Sequence, residues 1–103
     1  MNEKISIVLA QIDLIVGDIT GNTERILEYC EHAKDESDAD LIVFPELSIS
    51  GYPPEDLLLH SGLKRRITEA MESIKLNVRG IAVLVGFPEY TQDHIFNSCV
   101  VYY

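Results

Sequence analysis

The sequence predicts an α/β fold, a largely buried sheet layered against helices, in the order β-α-β-α-β-β. Three observations carry that prediction. Short apolar runs alternate with segments whose apolar residues recur at helical spacing. The run from Ala39 to Phe44 is apolar throughout except for Asp40, the pattern of a strand covered on both faces. Hydrophobic residues make up 47% of the 103, so a chain the size of one small domain has the material for a core.

Each element has its own signal. Residues 4 to 10, KISIVLA, form a short β-rich run ending near Gln11, and Gly17, Asp18, Gly21 and Asn22 supply turn and helix-start chemistry. From Asp18 to Asp40, the apolar residues Ile19, Ile26, Leu27, Cys30 and Ala33 define one buried helical face, with a polar tail from Lys34 onward. The next strand, Ala39 to Phe44, ends at Pro45, which cannot donate to a ladder. Pro53 and Pro54, followed by Glu55 and Asp56, predict a helix start with acids near the positive end of the dipole. After a break at Ser61 and Gly62, Leu63, Ile67, Ala70, Met71 and Ile74 outline a second amphipathic helix. IAVLVGFP, residues 81 to 88, and IFNSCVVYY, residues 95 to 103, flank a polar turn and predict a hairpin. No repeat, linker or low-complexity stretch interrupts this order. Because Val100, Val101, Tyr102 and Tyr103 lie inside an apolar strand, residues 1 to 103 are expected to be the opening portion of a longer domain, with an exposed sheet edge.

Charge narrows the partners. With 8 basic against 17 acidic side chains, the formal charge is -9, which argues against nucleic acid or an anionic membrane surface. Cys30 and Cys99 lack the paired spacing of a zinc site and are too few for a disulfide framework. Both read as reduced, buried small hydrophobes without the electropositive setting that activates a thiol. His32, His60 and His94 read as surface or loop residues whose spacing suggests no metal site, and Lys64 and Lys75 as solvated helix positions. The N-terminal apolar run is too short to span a membrane and lacks a cleavage site, so the expected location is cytoplasmic.

Glu46 is the residue most open to a chemical reading. It follows the carboxyl end of a predicted buried strand, the address at which α/β sheets build ligand crevices. Flanked by Phe44, Pro45 and Leu47, its carboxylate is expected to be partly desolvated and suited to exchanging a proton near neutrality. Position and residue type also describe the start of a solvated loop, and by themselves favour it. Tyr52, after Gly51, reads either as the wall of a small-amide pocket or as loop packing. Glu55 and Asp56 are better explained by the helix dipole than as paired catalytic acids.

FPELSISGY, after a buried strand and an N-terminal strand ending in AQ, resembles the carbon-nitrogen hydrolase (nitrilase) superfamily. YPPEDLLL, together with VGDITGN, LVGFP and IFNSCVVYY in order, is similar within that superfamily to the glutaminase domains of glutamine-dependent NAD synthetases. The resemblance covers essentially all of residues 1 to 103. It implies the N-terminal portion of a single α/β/β/α sandwich domain, a glutamine substrate, and Glu46 as the catalytic glutamate of a Glu-Lys-Cys set. The cysteine of that set attacks an amide carbon, the glutamate moves the proton and the lysine stabilises the oxyanion. The resemblance places the lysine and the cysteine beyond Tyr103, so these residues alone are expected to be inactive. It places Tyr52 in the glutamine site. It also implies ATP and magnesium in a synthetase domain outside this sequence, no cofactor within it, and a homo-oligomeric intact protein. Two alternatives remain: a stand-alone amidase for another small amide, and a non-catalytic α/β interaction module.

Overall fold

The computed structural model describes residues 4–51, 62–92 and 94–103. Six elements follow in order: β1 (Ile7–Leu9), α1 (Ile19–Ser37), β2 (Leu41–Val43), α2 (Leu63–Asn77), β3 (Ala82–Tyr90) and β4 (Ile95–Tyr102). They form the predicted β-α-β-α-β-β sequence. The sheet runs β1-β2-β3-β4, with β1, β2 and β3 mutually parallel and β4 antiparallel to β3.

Strand order decides where the helices lie. Both crossovers, β1 to β2 and β2 to β3, step in the same direction across the sheet, so right-handed connections place both helices on one face. That face holds the core. Ile42, Val83 and Val85 pack there against Ile26, Cys30 and Ala33 of α1 and Ile67, Met71 and Ile74 of α2. Every apolar position predicted for the second helix is buried.

Local chemistry sets the helix ends. The Asp18 carboxylate accepts a hydrogen bond from the Gly21 N–H at 3.1 Å and caps α1, which closes at Asp38 in the left-handed region. Gly62, at φ 86°, precedes α2. The helix start predicted at Pro53 to Asp56 lies outside the described residues, as do Tyr52 and His60. No helix among the described residues is long and apolar enough to cross a membrane.

Two expectations change. The sheet is not buried on both faces: Leu41 and Val43 are half-buried, while on the same side Ile7 is 49% and Leu9 68% exposed. An unbroken apolar run predicts that both faces avoid water, but both helices of this chain lie on one of them. Cys99 is likewise exposed rather than buried, because it alternates onto the open face while its neighbours Ser98 and Val100 turn toward the helices. Cys30 is buried as expected, and burial pushes its thiol up from 9.0 to about 12.

Candidate active site

Glu46 lies in the turn that leaves β2, and two backbone hydrogen bonds and one close backbone approach fix that turn to the sheet. The Phe44 N–H donates to the Leu84 carbonyl at 3.0 Å, continuing the parallel ladder one residue beyond β2. Pro45 then stops it. Further on, the Ile49 N–H donates to the Gly86 carbonyl at 3.4 Å. Between these ties the chain lies directly on β3. A Cβ at Gly86 would stand 2.7 Å from the Leu47 nitrogen and 3.4 Å from the Glu46 carbonyl carbon, so only glycine admits this approach.

The turn is also conformationally costly. Leu47 has φ 51°, a left-handed conformation that costs a residue with a Cβ roughly 1–2 kcal/mol. Its surroundings hold it there. Leu47 and Ile49 are buried, and the Ser48 hydroxyl donates back to the Pro45 carbonyl.

Asn22 secures the far end of the same segment. It is buried in α1, and its Nδ2 donates to the carbonyls of Ile15 at 2.8 Å and Ile49 at 3.1 Å. Its Oδ1 accepts from the Ile15 N–H at 2.9 Å. A single satisfied amide thus joins the loop after β1 to the loop after β2. The Gly17 N–H adds a bond to the Ser50 carbonyl at 2.9 Å, and Gly51, at φ 79°, passes so close to Val16 that a Cβ would meet its nitrogen at 2.7 Å. The VGDITGN and ELSISG stretches are therefore two halves of one support.

The Glu46 side chain projects over the face away from the helices. Phe44 and Leu47 turn into the protein and leave the carboxylate exposed, so the partial desolvation expected from its neighbours does not arise within these residues. Its Oε1 accepts a hydrogen bond from Nδ2 of Asn97. Asn97 sits in β4 opposite Pro88, two residues from Cys99, which opposes Gly86. Alternation along β4 puts Asn97 and Cys99 on this one face. The arrangement gathers a carboxylate, one neutral donor and a glycine that admits the loop.

Other predicted positions stay apart from it. Lys64 and Lys75 are exposed on α2, and His32 is exposed beside Glu36 at 3.2 Å. Among the described residues, no cluster of three or more His, Cys, Asp or Glu side chains could hold a metal ion. A groove of about 580 Å³ lies on the helix side between α1 and the start of β3; Cys30, Lys34 and Arg79 line it and Glu46 does not.

From the sequence alone, Asn97 and Gly86 have no role of their own, and Asn22 reads only as helix-start chemistry, not as the tie between two loops. The signals were present: an amide inside an otherwise apolar strand, a polar residue on a buried helical stripe, and a glycine inside a strand pattern.

Comparison with known proteins gives the arrangement its context. The chain is 45% identical over 97 residues to a glutamine-dependent NAD(+) synthetase of Xanthomonas campestris, covering 94% of this chain and 18% of that protein. The structure of the glutamine-dependent NAD+ synthetase of Acinetobacter baumannii superposes with a TM-score of 0.88 at 41% identity, again over 94% of this chain and 18% of the other. An amidase from Nesterenkonia sp. shares the fold, with a TM-score of 0.83 at 22% identity over 94% of this chain and 37% of that one. The chain therefore spans under a fifth of the length of the synthetases it matches. The sequence profile of the carbon-nitrogen hydrolases matches residues 5–102, nearly the whole chain, and this chain belongs to the carbon-nitrogen hydrolase family.

Proposed function

We propose that residues 1–103 are the N-terminal portion of the glutaminase domain of a glutamine-dependent NAD synthetase. The observation that carries this reading is the fixed placement of Glu46: a carboxylate at the carboxyl end of a central strand, over the open face of the sheet, with one oxygen held by Asn97. Similarity to the synthetases along nearly the whole chain supports the choice of substrate.

In this reading Glu46 is the general base and acid. It takes the proton of a cysteine thiol supplied by later residues as the sulfur attacks the glutamine side-chain carbonyl. A lysine from later residues meets the developing oxyanion. The C–N bond breaks, Glu46 returns the proton to the leaving nitrogen, and ammonia departs from a thioester. Water then attacks that thioester as Glu46 takes its proton, the C–S bond breaks, and Glu46 passes the proton to the departing sulfur, releasing glutamate and restoring the thiol and the carboxylate.

Ammonia would serve the ATP-dependent amidation of deamido-NAD to NAD in a synthetase, or ligase, portion beyond residue 103. ATP and magnesium belong to that portion, and no step at Glu46 passes through them. Tyr52 would wall the glutamine pocket. The second layer of the α/β/β/α sandwich would cover the open sheet face, and the intact protein would be a cytoplasmic homo-oligomer.

The test is the full-length protein supplied with glutamine, ATP, magnesium and deamido-NAD. One glutamate should appear for each NAD formed. Hydrolysis of small amides without NAD formation would favour a stand-alone amidase instead. Inertness toward glutamine and every other amide would leave a non-catalytic interaction module.

A further inference from the structure

We propose that Asn97 is a positioning residue that aims Glu46, fixing one carboxylate oxygen so that the other faces the reacting proton; the inference rests on the glutaminase reading above. Four observations lead there. Asn97 occupies a strand, where asparagine is disfavoured, and it is exposed, so neither β-propensity nor core packing accounts for it. Its Nδ2 donates to Oε1 of Glu46, a residue 51 positions earlier in the chain. Both partners are referenced to the same strand: the Glu46 turn rests on Gly86 of β3, and Asn97 stands opposite Pro88 of β3. The donor is also neutral.

Neutrality matters to the chemistry. A lysine or arginine at this position would pair with the carboxylate as a charge, whereas an amide N–H orients one oxygen and leaves the lone pairs of the other open. A general base must meet its proton within hydrogen-bond reach, and a small misdirection of the acceptor is enough to slow transfer. Held only by its own backbone, an exposed glutamate would sample several rotamers. The Asn97 contact selects among them from a strand that is itself paired along its full length.

The experiment is a double-mutant cycle in the full-length protein, with variants Asn97→Ala, Glu46→Gln and the pair. Asn97→Ala should lower glutamine-driven kcat on the order of 10- to 100-fold, with KM within about twofold and ammonia-driven NAD synthesis unchanged. In the Glu46→Gln background the same substitution should cost less than about twofold more, because a residue that acts through Glu46 has nothing left to aim. Asn97→Asp, which sets a second carboxylate against the first, should be slower than Asn97→Ala. If Asn97→Ala is poorly folded, as judged by its melting curve, Asn97→Ser is read in its place. Additive losses, an equal loss of ammonia-driven turnover or a wild-type rate would each overturn the assignment. A wild-type protein that makes NAD from ammonia but not from glutamine would instead sink the glutaminase reading, and this inference with it.

Discussion

The two faces of the sheet are made from the same four strands and differ in almost everything else. Toward α1 and α2, Ile42, Val83 and Val85 are fully buried in a continuous apolar cluster. On the opposite side Ile7, Leu9 and Val101 are substantially exposed, and Asn97 and Cys99 stand among them. The helix face holds a continuous buried core among the described residues. The open face presents apolar surface together with the Glu46 carboxylate, beside the left-handed Leu47, the combination expected where another layer and a substrate site meet. The buried core of this chain thus lies on one face, and the chemistry proposed for Glu46 lies on the other.

Substitutions on the two faces should therefore separate stability from turnover in the full-length protein. The largest effect on stability belongs to Ile42→Ala, which removes a fully buried side chain from the core and should cost about 2–5 kcal/mol in urea unfolding. Glutamine turnover per folded molecule should change little. A loss below about 1 kcal/mol would contradict the packing described for that face.

Gly86→Ala should do the reverse. The new methyl would meet the Leu47 nitrogen at 2.7 Å, so the Glu46 turn must lift from β3. Glutamine-driven turnover should fall roughly 10-fold or more, with an overpacking cost of about 1–3 kcal/mol. Unchanged kinetics would show that the close approach does not position Glu46.

A further effect on stability concerns pH. Cys30 remains a neutral thiol in the folded protein until about 12, whereas in the unfolded chain it ionises from 9.0. The unfolded state loses its proton first. The stability tied to Cys30 is therefore fully present below 9.0 and is lost as pH rises from there toward about 12. Urea midpoints measured at increasing pH should decline over that window with a slope of no more than one proton, and Cys30→Ala should remove that component. A decline of equal slope in the variant would assign it to other groups.

How far the sequence shows this difference depends on the kind of interaction involved. The helix face was legible because its signal is periodic: Ile26, Cys30 and Ala33 on α1 and Ile67, Met71 and Ile74 on α2 fall at helical spacing, and all are buried. The hairpin followed from two apolar runs around a polar turn. The position of Glu46 was legible from Pro45, which stops a strand at a known place. The open face was not, because an apolar run says that water is avoided without saying which segment excludes it. Cys99 was misjudged for the same reason. Asn97, Asn22 and Gly86 act through contacts across 51, 27 and about 40 positions, and local patterns carry no information about partners so distant. Exposure of the Glu46 carboxylate likewise goes with the burial of Phe44 and Leu47 on either side of it and with the left-handed φ at Leu47, neither of which a local pattern shows.

The most direct test of this division is Glu46→Gln in the full-length protein, with NAD synthesis measured from glutamine and from ammonia in parallel. The substitution keeps the shape of the side chain and removes the base. Glutamine-driven synthesis should fall by about three orders of magnitude, while the ammonia-driven rate and the urea midpoint stay at wild-type values. An equal fall with both nitrogen donors, or no fall with glutamine, would contradict the role assigned to Glu46 and, with it, the reading of the open face as the chemical one.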